Sequence, residues 1–427
     1  MSRRLLMRLA ALLAALLALV LALIGLVAWL NLRDEPDLAA GADIAVPPTA
    51  QQVERGAYLA RAGNCAACHT ARGGAPYAGG QGIPTPFGTV FASNLTPDAA
   101  TGIGDWTAAH FWRALHNGRS RDGRLLYPAF PYPNFTQVTR EDSDAIHAYL
   151  RTIVPVKQPN RPHALRFPYD TQLALATWRA LFFRPAAYEP DPSRSAEWNR
   201  GSYLVRGLGH CNACHSSRNV FGATTGQFEL GGGLIPMQNW YAPSLSSVRE
   251  AGVADWDAAQ VAALLKNGVA ARGSVLGPMA EVVYRSTQYL SNDDLHAMAV
   301  FLQQLPQAAP PPRETTPRDA SLMQRGARLY ENHCEQCHGK RGEGAGGAYP
   351  PLAGNRAVTM DTPANLVRVV IDGGYLPATA GNPRPFGMPP FSYQLDDTEV
   401  AAVLSFIRGS WGNDAPAVSA LDVLRYR

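Results

Sequence analysis

The sequence predicts an all-α protein in which three small helical domains follow an N-terminal transmembrane helix. Three observations predict it. An uninterrupted apolar run occupies residues 9–30. A pentapeptide that begins Arg-Gly and ends in Leu recurs at Arg55, Arg200 and Arg325. Each copy is followed a few residues later by Cys-x-x-Cys-His. The length of 427 residues suits about three domains of roughly 100–150 residues each. The 39 Gly and 34 Pro fit small, loop-rich units. Net charge is only +4, and no dense Lys/Arg run lies beyond the first ten residues. That balance excludes nucleic acid as an expected partner.

The apolar run comes first in the chain. As a helix, residues 9–30 would extend about 33 Å, enough to cross a hydrocarbon core of roughly 30 Å. Arg3, Arg4 and Arg8 precede it, and Asp34 and Glu35 follow. This asymmetry puts the N-terminus in the cytoplasm and exports everything beyond residue 35. Trp29 stands where an interfacial aromatic would anchor the outer end. A cleaved signal peptide is the rival reading, and an Ala-x-Ala does occur at residues 40–42. Cleaved leaders have apolar cores of about 7–15 residues, so the length here favours an inner-membrane anchor over residues 1–35.

The repeats set the domain boundaries. Arg55-Gly-Ala-Tyr-Leu59, Arg200-Gly-Ser-Tyr-Leu204 and Arg325-Gly-Ala-Arg-Leu329 each open a short helical pattern that ends at the cysteine motif. A middle helix is led by Asp105-Trp106, by Asp255-Trp256 and by Thr362-Pro363. A last amphipathic helix covers residues 141–150, 292–302 and 396–407, each beginning near a Ser, Thr or Asp suited to an N-cap. The expected domains are therefore 50–152, 196–305 and 319–412. A linker over 153–195 carries one helix, at 171–183, with Trp178 and two Phe. Its apolar stripe reads first as interdomain core, and otherwise as a contact with membrane or partner. The second linker, 306–318, is Pro-rich and semi-rigid. A tail covers 413–427.

The six cysteines occur only as Cys65/Cys68, Cys211/Cys214 and Cys334/Cys337, each pair followed directly by a histidine: His69, His215 and His338. Cys-x-x-Cys-His reads as a c-type haem attachment site. On a helical turn, positions three and four apart face the same way. Two thioethers then hold the macrocycle while the imidazole reaches the iron. A zinc site would need two further ligands nearby, and none of the pairs has them. Three covalently bound haem c groups are expected, each in a class I cytochrome c-like domain.

A methionine opposite the histidine would complete the iron's coordination and raise its potential. Met279, in Gly-Pro-Met, and Met388, in Gly-Met-Pro-Pro, lie in corresponding places ahead of the last helix. A lone Met is usually a core residue, but the repeated position argues for ligation. The first copy differs. Tyr127-Pro-Ala-Phe-Pro131 puts Phe130 where a Met should stand, and no Met lies between Met7 and Met237. The first iron is then open, or takes a histidine (His110, His116 or His147), or borrows a ligand from a neighbouring domain.

These motifs together resemble the tri-haem cytochrome c subunits of bacterial membrane-bound alcohol, gluconate and aldehyde dehydrogenases. The resemblance is carried by Ala196-Glu-Trp-Asn-Arg-Gly201 through Gly207-Leu-Gly-His-Cys211, by Phe182-Phe-Arg-Pro185, and by Pro383-Arg-Pro-Phe-Gly-Met-Pro-Pro390 with Ser410-Trp-Gly-Asn413. It covers essentially everything after residue 50. It implies haem ligation by Cys65, Cys68, His69, Cys211, Cys214, His215, Met279, Cys334, Cys337, His338 and Met388. The family pattern expects a Met where Phe130 stands. The resemblance also implies a periplasmic relay. Electrons would come from a separate catalytic subunit carrying pyrroloquinoline quinone, flavin or molybdopterin, and would pass to ubiquinone or a terminal oxidase. On this reading the chain has no catalytic activity alone. The competing reading is a peroxidase-like haem enzyme working at an open first haem.

Overall fold

The computed structural model describes residues 2–33, 35, 47–224, 226, 229–307, 318–346 and 348–427. Asp34, the Ala-x-Ala at 40–42 and most of the Pro-rich linker fall outside these residues. α1 (Arg3–Leu32) is long and apolar enough to cross a membrane, is capped by Ser2, and buries none of its residues in the protein. α2 (Ala50–Ala62), α3 (Cys65–His69), α4 (Ala108–Asn117), α5 (Tyr132–Phe135) and α6 (Arg140–Leu150) follow. α7 (Gln172–Phe182) stands in the first linker. Next come α8 (Ala196–Tyr203), α9 (Ala258–Asn267), α10 (Gly277–Arg285) and α11 (Asn292–Gln303). The last stretch holds α12 (Ala320–His333), α13 (Glu335–His338), α14 (Arg356–Thr359), α15 (Ala364–Asp372), α16 (Asp397–Arg408) and α17 (Ala420–Tyr426). The expected last helices begin within a residue of α6, α11 and α16. Their caps are the Thr139, Ser291 and Asp396 side chains.

The all-α expectation needs one correction: the fold is mostly helical, with short strands in its loops. β1 (Gly82–Thr85) and β2 (Gly88–Phe91) form a hairpin that β3 (Ala164–Leu165) extends from the linker. Three two-residue ribbons pair β4 (Gly233–Leu234) with β5 (Tyr241–Ala242), β6 (Val269–Ala270) with β7 (Gly273–Ser274), and β8 (Gly374–Tyr375) with β9 (Gly387–Met388). Loops folded against a core must satisfy their backbone groups, and a short ladder does so. Pairings of two residues leave no alternation to read in a sequence.

Three helix pairs organise the body: α2 against α6, α8 against α11, and α12 against α16. The recurring pentapeptide is the device that forms them. A Cβ on Gly56 would overlap the Ala145 carbonyl oxygen, one on Gly201 that of Ala297, and one on Gly326 that of Ala402. Glycine lets the two backbones touch. The arginine before each glycine reaches an acid in the first turn of the partner helix. Arg55 Nη2 meets Asp142 Oδ1 at 2.5 Å, Arg200 Nε meets Asp294 Oδ1 at 2.7 Å, and Arg325 Nη2 meets Glu399 Oε1 at 3.3 Å.

The pairs are not packed alike. One buried cluster runs from Leu59 to Leu305 and joins the first two pairs, while another runs from Tyr330 to Val423. The first two pairs also exchange hydrogen bonds. Tyr58 Oη donates to Asp294 Oδ2 (2.5 Å) and accepts from the Ser291 N–H (3.1 Å). Tyr203 Oη donates to Asp142 Oδ2 (2.6 Å) and accepts from the Thr139 N–H (3.2 Å). Each tyrosine thus binds the carboxylate that the other pair's arginine holds, as in a two-fold self-complementary contact. The third pair docks on the second through polar groups. Arg356 Nη2 reaches Asp255 Oδ2 at 2.8 Å, and Asn365 exchanges two hydrogen bonds with the Tyr241 backbone, at 2.9 and 2.8 Å.

α7 holds the end of α1 to this body. The Asn31 side chain donates to the Ala176 carbonyl (2.9 Å) and accepts from Arg179 Nε (2.9 Å). Glu35 pairs with Arg119 at 3.0 Å and Arg113 at 3.6 Å. Only Leu175 and Arg179 of α7 are buried. Leu173 and Leu181 are each 68% exposed, so the core reading of this helix covers only part of its apolar surface.

Candidate haem-attachment sites

Each cysteine motif forms a helical turn at the end of the first helix of a pair. α3 makes that turn in the first copy. In the other two, the His215 and His338 N–H groups bond the Cys211 and Cys334 carbonyls, both at 2.9 Å. The three cysteine pairs are placed alike. Cys65, Cys211 and Cys334 are half-buried, whereas Cys68, Cys214 and Cys337 are exposed. Among the described residues no group of three or more His, Cys, Asp or Glu side chains converges as a metal cage. The motifs stand without the second set of ligands that zinc requires.

The histidines carry the strongest geometric signal. His69 Nδ1 lies 2.7 Å from the Ser93 carbonyl oxygen, His215 Nδ1 2.7 Å from that of Pro243, and His338 Nδ1 3.1 Å from that of Pro350. A carbonyl only accepts, so Nδ1 carries the proton and Nε2 keeps its lone pair for a metal. Burial lowers the pKa of all three rings and so favours the neutral form that coordinates iron. The donor set therefore fits haem c: two thiols for thioethers and one oriented imidazole, three times over.

The sequence did not point to these carbonyls. A faint signal exists, because Ser93, Pro243 and Pro350 each stand two residues before a leucine: Leu95, Leu245 and Leu352. The candidate methionines also occupy related places. Met279 is half-buried in the first turn of α10 and packs on the core of the first two pairs. Met388 is half-buried in β9 and packs on the core of the third. Phe130 is likewise half-buried against the first core. The structure also brings the first two motifs together. Gly63, just before the first motif, lies against the Leu208 side chain, and half-buried His210, beside Cys211, stands edge-on to Phe135 at 5.5 Å. Asn64 and His210, each just before a motif, both adopt left-handed backbone (φ 51° and 38°).

Residues 53–153 and 323–411 match the cytochrome c family, which binds haem c covalently. The chain is 40% identical over 410 residues to the cytochrome c subunit of the quinone alcohol dehydrogenase of Gluconacetobacter polyoxogenes, covering 91% of this chain and 87% of that one. It is 37% identical over 398 residues to the gluconate 2-dehydrogenase cytochrome c subunit of Pantoea cypripedii (88% and 89%). It is 32% identical over 431 residues to the fructose dehydrogenase cytochrome subunit of Gluconobacter japonicus (94% and 87%). The chain belongs to this family of dehydrogenase cytochrome c subunits, whose role is electron transfer. No comparison supports the peroxidase-like reading.

Proposed function

We propose that this chain relays electrons through three haem c groups, in three tandem cytochrome domains, as the cytochrome subunit of a membrane-bound dehydrogenase acting on an alcohol, sugar-acid or aldehyde donor. The observation that carries it is the threefold recurrence of one site: a half-buried and an exposed cysteine beside a histidine whose Nδ1 is held by a carbonyl. Cys65 and Cys68, Cys211 and Cys214, and Cys334 and Cys337 would anchor the groups, and His69, His215 and His338 would each supply an imidazole nitrogen to the iron. Met279 and Met388 complete the second and third sites. When bound, haem c supplies one-electron redox chemistry at potentials set by its axial ligands.

The side chains fix the sites rather than transform a substrate. The carbonyls of Ser93, Pro243 and Pro350 keep the imidazoles from turning. The buried core that the first two helix pairs share supports transfer between the first two sites. α1 anchors the chain in the inner membrane with the haem domains in the periplasm. The exposed apolar side chains of α7, next to the membrane-facing end of α1, support the same placement. The donor is a catalytic subunit carrying a quinone, flavin or molybdenum cofactor, and the acceptor is ubiquinone or a terminal oxidase.

Haem content tests the reading. Pyridine haemochrome assay should give three haems per chain, with haem mass on each cysteine-motif peptide. The purified chain alone should not oxidise alcohols or aldehydes. Turnover without a partner subunit, or fewer than three haems, would overturn the proposal.

A further inference from the structure

We propose that the first haem site leaves one face of its iron without a protein ligand, and that Phe130 closes that face as an apolar pocket for a neutral diatomic molecule such as carbon monoxide. The proposal rests on the assignment of Cys65, Cys68 and His69 to a haem made above.

Register within the molecule carries it. α4 and α9 both end at a left-handed glycine, Gly118 (φ 58°) and Gly268 (φ 77°). The chain then turns back in the same way. The Leu126 N–H bonds the Gly118 carbonyl at 2.8 Å, and the Val275 N–H bonds the Gly268 carbonyl at 2.9 Å. Four residues beyond each bond stand Phe130 and Met279. Both are half-buried against one core cluster. The backbone therefore presents a phenyl ring in the first site where it presents a thioether in the second. A thioether sulfur has a lone pair for iron, whereas a phenyl ring has none.

The nearby histidines are engaged elsewhere. No Met lies between Met7 and Met237, and Met237 is 62% exposed. His110 is engaged with Thr107 in the cap of α4. His116 is held flat against Trp112, one turn earlier on α4, with 4.5 Å between ring centroids. His147 packs against Phe111. His163 Nδ1 accepts the Phe91 N–H, which leaves the proton on Nε2. His210 stands edge-on to Phe135. The surroundings of Phe130 are aromatic, with Phe135 at 5.3 Å and Tyr132 at 6.4 Å between ring centroids. Such a wall penalises anions through desolvation and accepts small neutral molecules.

The test is a carbon monoxide titration of the dithionite-reduced full chain, in detergent or in its dehydrogenase complex. The expected result is binding to one haem in three, with a high-spin signal from the same fraction in the oxidised protein. Phe130→Met should abolish the binding and Phe130→Leu should retain it. A haem on the Cys65–Cys68 peptide with no carbon monoxide binding and only low-spin iron would overturn this proposal alone. A peptide without haem would overturn the three-site reading and this proposal with it. Undiminished binding in Phe130→Met would place the open iron elsewhere and also overturn it. If Phe130→Met does not fold, the wild-type stoichiometry and spin state decide.

Discussion

The same Arg-Gly pair lies within α2, α8 and α12, but two residues past the glycine the first two copies carry Tyr58 and Tyr203 where the third carries Arg328. In the first two, the tyrosine reaches across to the other pair's carboxylate, and a continuous apolar core follows. In the third, the position makes no such link among the described residues, the core is separate, and docking is by polar groups. One repeated unit therefore yields two kinds of neighbour. A buried, self-complementary contact fixes the first two motifs against each other. A polar contact positions the third and leaves it more open to salt.

The most severe test of this difference is steric. Gly201→Val would force α8 off the Ala297 backbone, at a cost above about 4 kcal/mol. Because the core is shared, haem content should fall by about two-thirds, the first two sites being lost together. Gly326→Val should remove only the third haem. Retention of the first haem in Gly201→Val would break the idea of a shared core.

The acids come next. Asp142 has a side chain only 2% exposed and is held by Arg55 and Tyr203. Asp142→Asn should destabilise by about 1.5–3 kcal/mol, the range for buried hydrogen bonds to a charged group, because Arg55 is half-exposed and can turn to water. Glu399→Gln, at the corresponding pair in the third copy, should cost about 0–1 kcal/mol, since both partners are partly exposed. Calorimetry of the two variants reads the contrast directly. Asp294 adds a pH dependence. Burial raises its pKa, but hydrogen bonds from Arg200 and Tyr58 outweigh burial and hold it below the ordinary carboxylate range. With the folded value below the unfolded one, this contact contributes fully above the unfolded pKa and is lost as pH falls through the folded value. The first two domains should therefore loosen below about pH 4, and less steeply in Asp294→Asn.

Single contacts sharpen the comparison further. Tyr203→Phe should cost about 1.5–3 kcal/mol, the range for a hydrogen bond to a charged group, whereas Arg328→Tyr should stay within about 0.5 kcal/mol. Denaturant melts of both would check this, and equal effects would deny the tyrosines their bridging role. Smallest is Arg356→Ala, at the polar contact, at about 1 kcal/mol. It should shift the docking of the third domain without changing the melting of the first two. Molar salt should mimic it in small-angle scattering.

Much was legible in order. The apolar run, the three cysteine motifs and the last helices could be read because each rests on local spacing: periodicity, a cap, or a turn that puts Cys and His on one face. The Arg-Gly repeat was visible, but its purpose was not. Nothing local says that Gly56 must make room for a carbonyl on α6, or that Arg55 must find Asp142. The short ribbons were missed because two residues carry no period. The carbonyls of Ser93, Pro243 and Pro350 were missed because any backbone could have supplied them.

By itself, the sequence determined where cysteines and histidines recur, where Met279 and Met388 stand in corresponding places, and where Phe130 interrupts the pattern. Those are properties of residue type and spacing. Only the tertiary structure decided that the three units are unequal neighbours. Tyr58 and Asp294 lie 236 residues apart in the chain, and their meeting depends on how two helix pairs bury a common apolar face.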